Sequence, residues 1–155
     1  MPNAGGLSDR EAAIDALIRF VVALDDGDSK LSASSLTENA VMNLVFGNSG
    51  MQSRKIEGRD PVVEALMSKV GRPLDTTHMA TNIRCMVNGD KAELTSVIFA
   101  QHFRLGEGQP PEFQDFWMNG NKYHCSIVRA GEQWEIESVT IEPAWTLGKP
   151  EVMIV

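Results

Sequence analysis

The sequence predicts one α+β domain in which helices come first and a curved, largely antiparallel sheet follows. Helix-start signals and apolar residues at helical spacing occur in the first half, whereas the second half alternates polar and apolar residues over long segments. The turn Asn88-Gly89-Asp90 separates two of these segments and is typical of a β-hairpin. The 155 residues contain no internal repeat or linker. We therefore expect a single domain over 1–155, with tails at 1–7 and about 145–155.

The first helix begins with a capping box and ends beside acidic residues. Ser8 is followed three residues later by Glu11, a spacing at which each side chain caps the other's backbone amide. An apolar stripe at helical spacing follows, formed by Ile14, Leu17, Ile18 and Val21. The next position of this stripe is Asp25, just before the predicted stop at Gly27. A carboxylate is unexpected there, because the stripe is otherwise apolar and the helix C-terminus carries negative partial charge.

Capping residues and alternation place the remaining elements. A short polar helix is predicted over about 29–36, and a third helix begins at Asp60-Pro61 and runs to about Val70. Residues 47–58 have the composition of a loop. The predicted strands cover residues 41–46, 79–87, 91–103, 113–117, 123–129 and 133–141. Pro143 and Pro150 predict an irregular tail.

Charge and hydropathy exclude two classes of partner. Acidic residues outnumber basic ones, 21 to 14, for a formal net charge of −7. Nucleic acids and anionic membranes both attract clustered Lys and Arg, so we expect neither as a partner. No apolar run approaches the ~20 residues that span a bilayer, and the amino terminus lacks the features of a secretory signal. These observations favour a cytoplasmic protein.

The sequence contains no recognisable metal or cofactor motif. Cys85 and Cys125 form neither a CxxC pair nor a zinc-ligand spacing, and we expect both to be reduced. A glycine-rich phosphate loop, a nucleophile elbow and an HExxH helix are also missing from the sequence. We therefore expect no metal and no cofactor, and chemistry carried by acid–base side chains.

Two histidines are candidates for such chemistry. His102 ends a strand face whose other members are small or apolar, namely Ala92, Leu94, Ser96, Ile98 and Ala100. An imidazole that enters an apolar interior can act as an acid or base near neutral pH, although a hydrogen-bonded core histidine fits the same pattern. Strict alternation turns His78 outward unless a β-bulge near Ala80 reverses its phase. For Asp25, the alternative interpretation is a carboxylate in a solvated loop.

Five segments, taken in order, resemble the SnoaL-like group of the nuclear-transport-factor-2-like fold. They are ALDDGD at 23–28, GRDP at 58–61, TTHMATN at 76–82, VNGDKA at 87–92 and VRAGEQWEI at 128–136. Within that group the pattern is most similar to the scytalone dehydratases. The resemblance implies a cone-like barrel, in which three N-terminal helices wrap a strongly curved mixed or antiparallel sheet around a pocket.

The resemblance also implies a set of site residues. Asp25 and His78 match an Asp–His pair of the dehydratases, His102 matches a second histidine, and Asn121 and Tyr123 match a polar pair on the next strand. In chemical terms an ionised Asp25 would orient His78 as a base. His102, with Tyr123 or Asn121, would donate to a developing oxyanion. The tyrosines that polarise a carbonyl in the dehydratases have no clear match here.

These expectations combine into one functional hypothesis with two alternatives. We expect a cofactor-independent, dehydratase-like lyase that acts on a small hydrophobic cyclic substrate in an apolar pocket. The expected pocket walls are Met42, Phe46, Phe99, Trp117 and Trp145. The alternatives are an isomerase or polyketide-cyclase-like reaction in the same pocket, or a non-catalytic module that binds a small ligand. By resemblance, the open face of the sheet would form a homodimer or homotrimer.

Overall fold

A computed structural model describes residues 6–45, 52–109, 112 and 114–154 of the protein. The helices are α1 (Asp9–Asp26), α2 (Ser29–Ser34) and α3 (Arg59–Leu66), which a π-helical turn (Met67–Gly71) extends. The strands are β1 (Leu36–Leu44), β2 (Arg54–Glu57), β3 (Leu74–Asn88), β4 (Lys91–Arg104), β5 (Trp117–Ala130) and β6 (Gln133–Gly148). A 3₁₀ turn (Pro150–Met153) follows β6. The predicted α+β class is therefore confirmed.

All six strands form one mixed sheet in the order β2-β1-β6-β5-β4-β3. The β1–β6 pair is parallel and the other pairs are antiparallel. Within the described residues β2 and β3 are the two edges, so the sheet is curved but does not close into a barrel. β1 precedes α3, in agreement with the strand predicted at 41–46, whereas β2 lies within residues 47–58, which were predicted to be a loop.

Helix α1 follows its predicted boundaries. The Ser8 and Glu11 side chains cap each other's backbone amides, and Gly27 ends the helix with φ 62°. A Cβ at position 27 would lie 2.7 Å from the carbonyl oxygen of Gly71, so close approach as well as the left-handed backbone requires glycine there. The buried face differs from the predicted stripe: Ile14 and Ile18 are half-buried. Its fully buried centre is formed by Ala13, Ala16, Leu17 and Phe20.

Four strands differ in extent from the predictions, and β1 begins at Leu36 rather than 41. β3 begins at Leu74 rather than 79, and β5 is continuous from Trp117, where two separate strands were expected. β6 continues past Pro143 to Gly148, so Trp145 lies in a strand and not in a tail. The register with β5 shifts beside this proline: Gly120 lies opposite Trp145 and Asn121 lies opposite Pro143, so Ala144 is an extra residue in β6. A β-bulge tolerates a residue that cannot donate a ladder hydrogen bond, which explains how the strand continues.

The core lies between α1 and the inner face of the sheet, the face directed at the helices. Its largest fully buried side chains include Trp134, Phe20, Leu17, Leu36, Leu94, Ile98 and Ile127. Arg19 of α1 is also buried, with 4% of its surface exposed. Its guanidinium donates to Asp15 Oδ2 at 2.8 Å, to the Trp134 carbonyl at 2.6 Å and to the Ser34 carbonyl. This cation therefore ties α1 to the end of α2 and to the start of β6.

Candidate active site

The candidate site lies on the inner face of β3, β4 and β5, where three rows of residues run across the strands. The register gives the rows Thr76–His102–Trp117, His78–Ala100–Asn119 and Ala80–Ile98–Asn121. Directly opposed residues in antiparallel strands share a face and lie about 4.5–5.5 Å apart. Residues far apart in sequence are thereby brought together beside the C-terminal end of α1.

A β-bulge in β3 turns His78 inward. The register with β4 shifts between Thr81 and Arg84, and Asn82 has a φ of 51°, which is rare for a residue other than glycine. The irregularity reverses the alternation of the strand, so that the His78 side chain is only 5% exposed. According to the sequence analysis, His78 could face inward only if β3 had a bulge near Ala80. The structure has this bulge at Asn82, two residues further along the strand.

Asp25 holds the His78 imidazole through a short hydrogen bond. Its Oδ1 lies 2.6 Å from His78 Nδ1 and accepts from the Thr76 hydroxyl at 2.8 Å. Its Oδ2 accepts from the His78 backbone amide at 2.9 Å. Burial on its own raises the pKa of Asp25, but the hydrogen bonds and charge of His78, together with Thr76, lower it below the ordinary value. The carboxylate is therefore ionised at neutral pH.

The ionised carboxylate sets the tautomer of His78. Since Asp25 Oδ1 accepts, Nδ1 of His78 carries the proton and Nε2 of the neutral ring carries a lone pair. The ring of His102 stands perpendicular to that of His78, with centroids 5.6 Å apart and an interplanar angle of 89°. The structure thus brings the three titratable residues named from the sequence into one group.

The environment of His102 makes it an acceptor rather than the donor that the sequence predicted. Its Nδ1 lies 3.1 Å from the Trp117 carbonyl oxygen, which can only accept, so Nδ1 carries the proton. Burial, with the nearby His78 charge, lowers the pKa of His102 to about 4. At neutral pH the ring is uncharged, and its Nε2 can accept a hydrogen bond but has no proton to donate.

The polar pair expected on β5 is only partly at the site. Tyr123 is 5% exposed and belongs to the core, where burial raises its phenol pKa far above the ordinary value. Asn121 lies on the inner face, and its Nδ2 donates to Asn119 Oδ1 at 2.8 Å. Asn119 was missed from the sequence, because residues 118–122 fell between two predicted strands. Alternation back from Tyr123 would have found it on the same face.

The expected pocket walls lie in different parts of the molecule. Trp117 shares the row of His102, and Met42 is buried in the core. Phe99 and Trp145 lie on the opposite, outer face of the sheet, with ring centroids 5.7 Å apart. Alternation explains this correction, since Phe99 lies between the inward-facing Ile98 and Ala100. Phe46 lies outside the described residues.

Neither a metal cluster nor a membrane-spanning helix emerges from the parts of the chain that the structure describes. Over 6–45, 52–109, 112 and 114–154, no three or more His, Cys, Asp or Glu side chains are grouped as metal ligands. Over the same ranges, every helix is too short or too polar to cross a bilayer. The described surface has clefts of about 510 and 400 Å³, and neither is lined by Asp25, His78 or His102.

Comparison with known proteins agrees with this fold. The terrestric acid biosynthesis cluster protein E of Penicillium crustosum is 35% identical over 145 residues, which cover 92% of this chain and 87% of that relative. A scytalone dehydratase-like structure from Novosphingobium aromaticivorans has a TM-score of 0.69 at 18% identity, covering 90% of this chain and 87% of that one. The hexachlorocyclohexane dehydrochlorinase LinA-type3 from Novosphingobium barchaimii has a TM-score of 0.68 at 18% identity, and the match covers 94% of this chain and 93% of that one.

The match to a family spans most of the chain. Residues 6–140 match the SnoaL-like domain and include α1 with Asp25, both site histidines and the asparagine pair of β5. The resemblance inferred from the sequence motifs is therefore confirmed. This chain belongs to the SnoaL-like family.

Proposed function

We propose that the protein is a cofactor-independent lyase of secondary metabolism that removes a proton from carbon next to the carbonyl group of a small hydrophobic cyclic substrate. The observation that carries this proposal is the 2.6 Å contact between Asp25 Oδ1 and His78 Nδ1. It fixes the tautomer in which the His78 Nε2 lone pair is the base, and the anion stabilises the imidazolium that forms. The side chains of the protein itself thus supply the base that this chemistry needs.

The proposed reaction is an elimination through an enolate. His78 Nε2 takes the proton from the α-carbon, the C–H electron pair forms a carbon–carbon double bond, and the carbonyl π electrons move to oxygen. When the carbonyl re-forms, the new double bond shifts and a hydroxyl group leaves from the β-carbon with its bonding pair. That hydroxide takes the proton from His78, so the products are an unsaturated ketone and water. The names of the relatives, a dehydratase-like protein and a dehydrochlorinase, support elimination.

An isomerase or polyketide-cyclase-like reaction is the second candidate, and the state of His102 favours it. Elimination benefits from a separate acid that protonates the leaving group, whereas His102 is neutral and offers only an acceptor at Nε2. Movement of a proton from one carbon to another needs only the base and an oxyanion donor. A non-catalytic module that binds small ligands would use the same inner face without needing the basic tautomer of His78.

Incubation with small hydroxylated cyclic ketones and mass spectrometry of the products tests the proposal. Loss of one water indicates elimination, and conserved mass with a new retention time indicates isomerisation. We expect turnover by the wild-type protein to fall at least ~100-fold in His78→Ala, because a positioned base contributes about that much. His124→Ala is the matched control, since that imidazole is 61% exposed and bonds Glu93 on the surface. A ketone turned over equally by His78→Ala would contradict the proposal.

We also propose that the outer face of the sheet binds a second copy of the chain, in a homodimer or homotrimer. Met79, Trp145 and Leu147 are large apolar side chains there, exposed to 45%, 43% and 58%. Beside them, Lys122 of β5 lies directly opposite Glu142 of β6 in the register of the two strands. Neither forms an ion pair with any residue that the structure describes, so the patch has one cation and one anion to offer a copy of itself.

Light scattering tests the proposed assembly. We expect Trp145→Glu to reduce the solution mass to that of a monomer, because it places a charge in the apolar centre of the interface. Met86→Glu is the control, since this exposed methionine lies at the far end of the outer face. A monomeric wild-type protein would contradict the proposed assembly.

A further inference from the structure

We propose that the carboxamide of Asn119 is the oxyanion donor of this site, and that its Nδ2 group binds the carbonyl oxygen of a cyclic ketone whose α-carbon lies at His78. This inference rests on the proposed function and names the residue that replaces the missing carbonyl-polarising tyrosines. It also narrows the substrate class to ketones in which the reacting carbon is adjacent to the carbonyl.

The row His78–Ala100–Asn119 supplies the geometry. The three residues are directly opposed on β3, β4 and β5, and two strand spacings place the outer Cα atoms roughly 10 Å apart. Ala100, the middle residue, is 1% exposed and has only a methyl side chain. The base and the amide therefore lie on either side of a residue whose own side chain is too small to separate them.

The distance between base and donor suits a ketone. A reactive base–carbon contact and an N–H···O bond each take about 3 Å, and the two bonds from the α-carbon to the oxygen add the rest. The sum of these lengths is comparable with the Cα–Cα distance of roughly 10 Å across the row. Side chains that lean toward each other make the distance between the reacting groups shorter than this Cα–Cα distance. A single substrate can therefore contact His78 and Asn119 together.

The hydrogen-bond pattern fixes which end of the Asn119 amide is available. Asn121 Nδ2 donates to Asn119 Oδ1 at 2.8 Å, so the carbonyl end of Asn119 is engaged. No residue in the described part of the chain accepts from Asn119 Nδ2, and the side chain is half-buried, so a ligand can reach it. Asn121 is 7% exposed and is itself held by the core, which keeps the Asn119 amide in one orientation.

Two polar groups beside His78 already have their hydrogens engaged. The Nδ1 proton of His102 is bound by the Trp117 carbonyl, and the Thr76 hydroxyl donates to Asp25. Tyr123 lies in the core, opposite Ser96. Among the described residues of the three inner-face rows, Asn119 Nδ2 and the Trp117 indole N–H have no acceptor, and of these two donors Asn119 lies in the row of His78.

Asn119→Asp tests the inference with little change in shape. The aspartate keeps an oxygen that can accept from Asn121, but it replaces the NH₂ donor by a second acceptor that repels an oxyanion. Gln101→Glu is the matched control, because it makes the same chemical change on the outer face of β4. Circular dichroism and thermal unfolding establish that both variants are folded.

The first readout is deuterium exchange at the α-carbons of 2-tetralone in D₂O, followed by NMR. We expect the exchange rate at saturating ketone to fall about 100-fold or more in Asn119→Asp, with a smaller change in KM, since an oxyanion donor acts mainly in the transition state. Gln101→Glu should match the wild type. Measurable exchange at equal rates in Asn119→Asp and the wild type would overturn the inference.

The second readout is equilibrium binding of 2-naphthol, a planar enol mimic, followed by its fluorescence. We expect Asn119→Asp to weaken binding by about 10- to 100-fold, as for loss of a hydrogen bond to a charged or strongly polar group. Unchanged affinity, or no saturable binding by the wild type, would overturn the inference. The wild type could bind 2-naphthol in an Asn119-dependent way and yet exchange no ketone proton. In that case the role of Asn119 as a hydrogen-bond donor is supported and the proposed lyase function is wrong.

Discussion

Replacement of His102 by glutamine should flatten the acid dependence of protein stability. The pKa of His102 falls from 6.5 to about 4 on folding, because burial and the His78 charge outweigh the Trp117 hydrogen bond and Asp25. Between these pH values the unfolded chain binds a proton that the folded chain excludes, so the free energy of unfolding falls as pH falls. Each pKa unit is worth about 1.4 kcal/mol, so the loss from His102 alone approaches about 3 kcal/mol at pH 4.

Urea unfolding at pH 7, 6, 5 and 4 measures this effect. The relevant quantity is the difference in unfolding free energy between wild type and His102→Gln, since titrating groups remote from His102 contribute equally to both proteins. We expect this difference to change by about 3 kcal/mol in favour of the variant from pH 7 to pH 4. His124→Gln, an exposed histidine, should change far less. Parallel pH curves for wild type and His102→Gln would refute the conclusion that burial keeps His102 neutral.

Three further substitutions test individual contacts of the fold, each by urea unfolding or fluorescence. Arg19→Ala should destabilise the fold by about 3 kcal/mol, because it leaves buried carbonyls without a donor. Gly27→Ala should cost about 1–3 kcal/mol, since φ is 62° and its Cβ would meet Gly71. Gly120→Val should displace the Trp145 indole, which a Cβ at this position would meet, and red-shift the emission. A variant with wild-type stability, or an unchanged emission spectrum for Gly120→Val, would contradict the role given to the corresponding contact.

Local signals predicted the helix and hairpin boundaries well. The Ser8–Glu11 capping box and Gly27 delimit α1, and the Asn88-Gly89-Asp90 turn joins β3 to β4. These signals act within a few residues, so they can be read in sequence. The long continuation of β6 through Pro143 could not be predicted, because the bulge that accommodates the proline, at Ala144 of the same strand, depends on the pairing with β5.

The titratable residues of the site could be named in advance, but their roles depended on tertiary contacts. Asp25 interrupts an apolar stripe, and His102 ends one, so both stand out in the sequence. The Trp117 carbonyl that fixes the tautomer of His102 leaves no sequence signal, since any residue carries a carbonyl. Phe99 was expected in the pocket although strict alternation, which directs Ile98, Ala100 and His102 inward, assigns it to the opposite face.

Deuterium incorporation at the α-carbon of a cyclic ketone tests the central claim, that Asp25 orients His78 to take a proton from carbon, most directly. We expect the wild-type protein to catalyse exchange of 2-tetralone protons in D₂O, His78→Gln to lose it, and Asp25→Asn to retain a small fraction because the tautomer is no longer fixed. Exchange by His78→Gln at the wild-type rate would show that another group is the base.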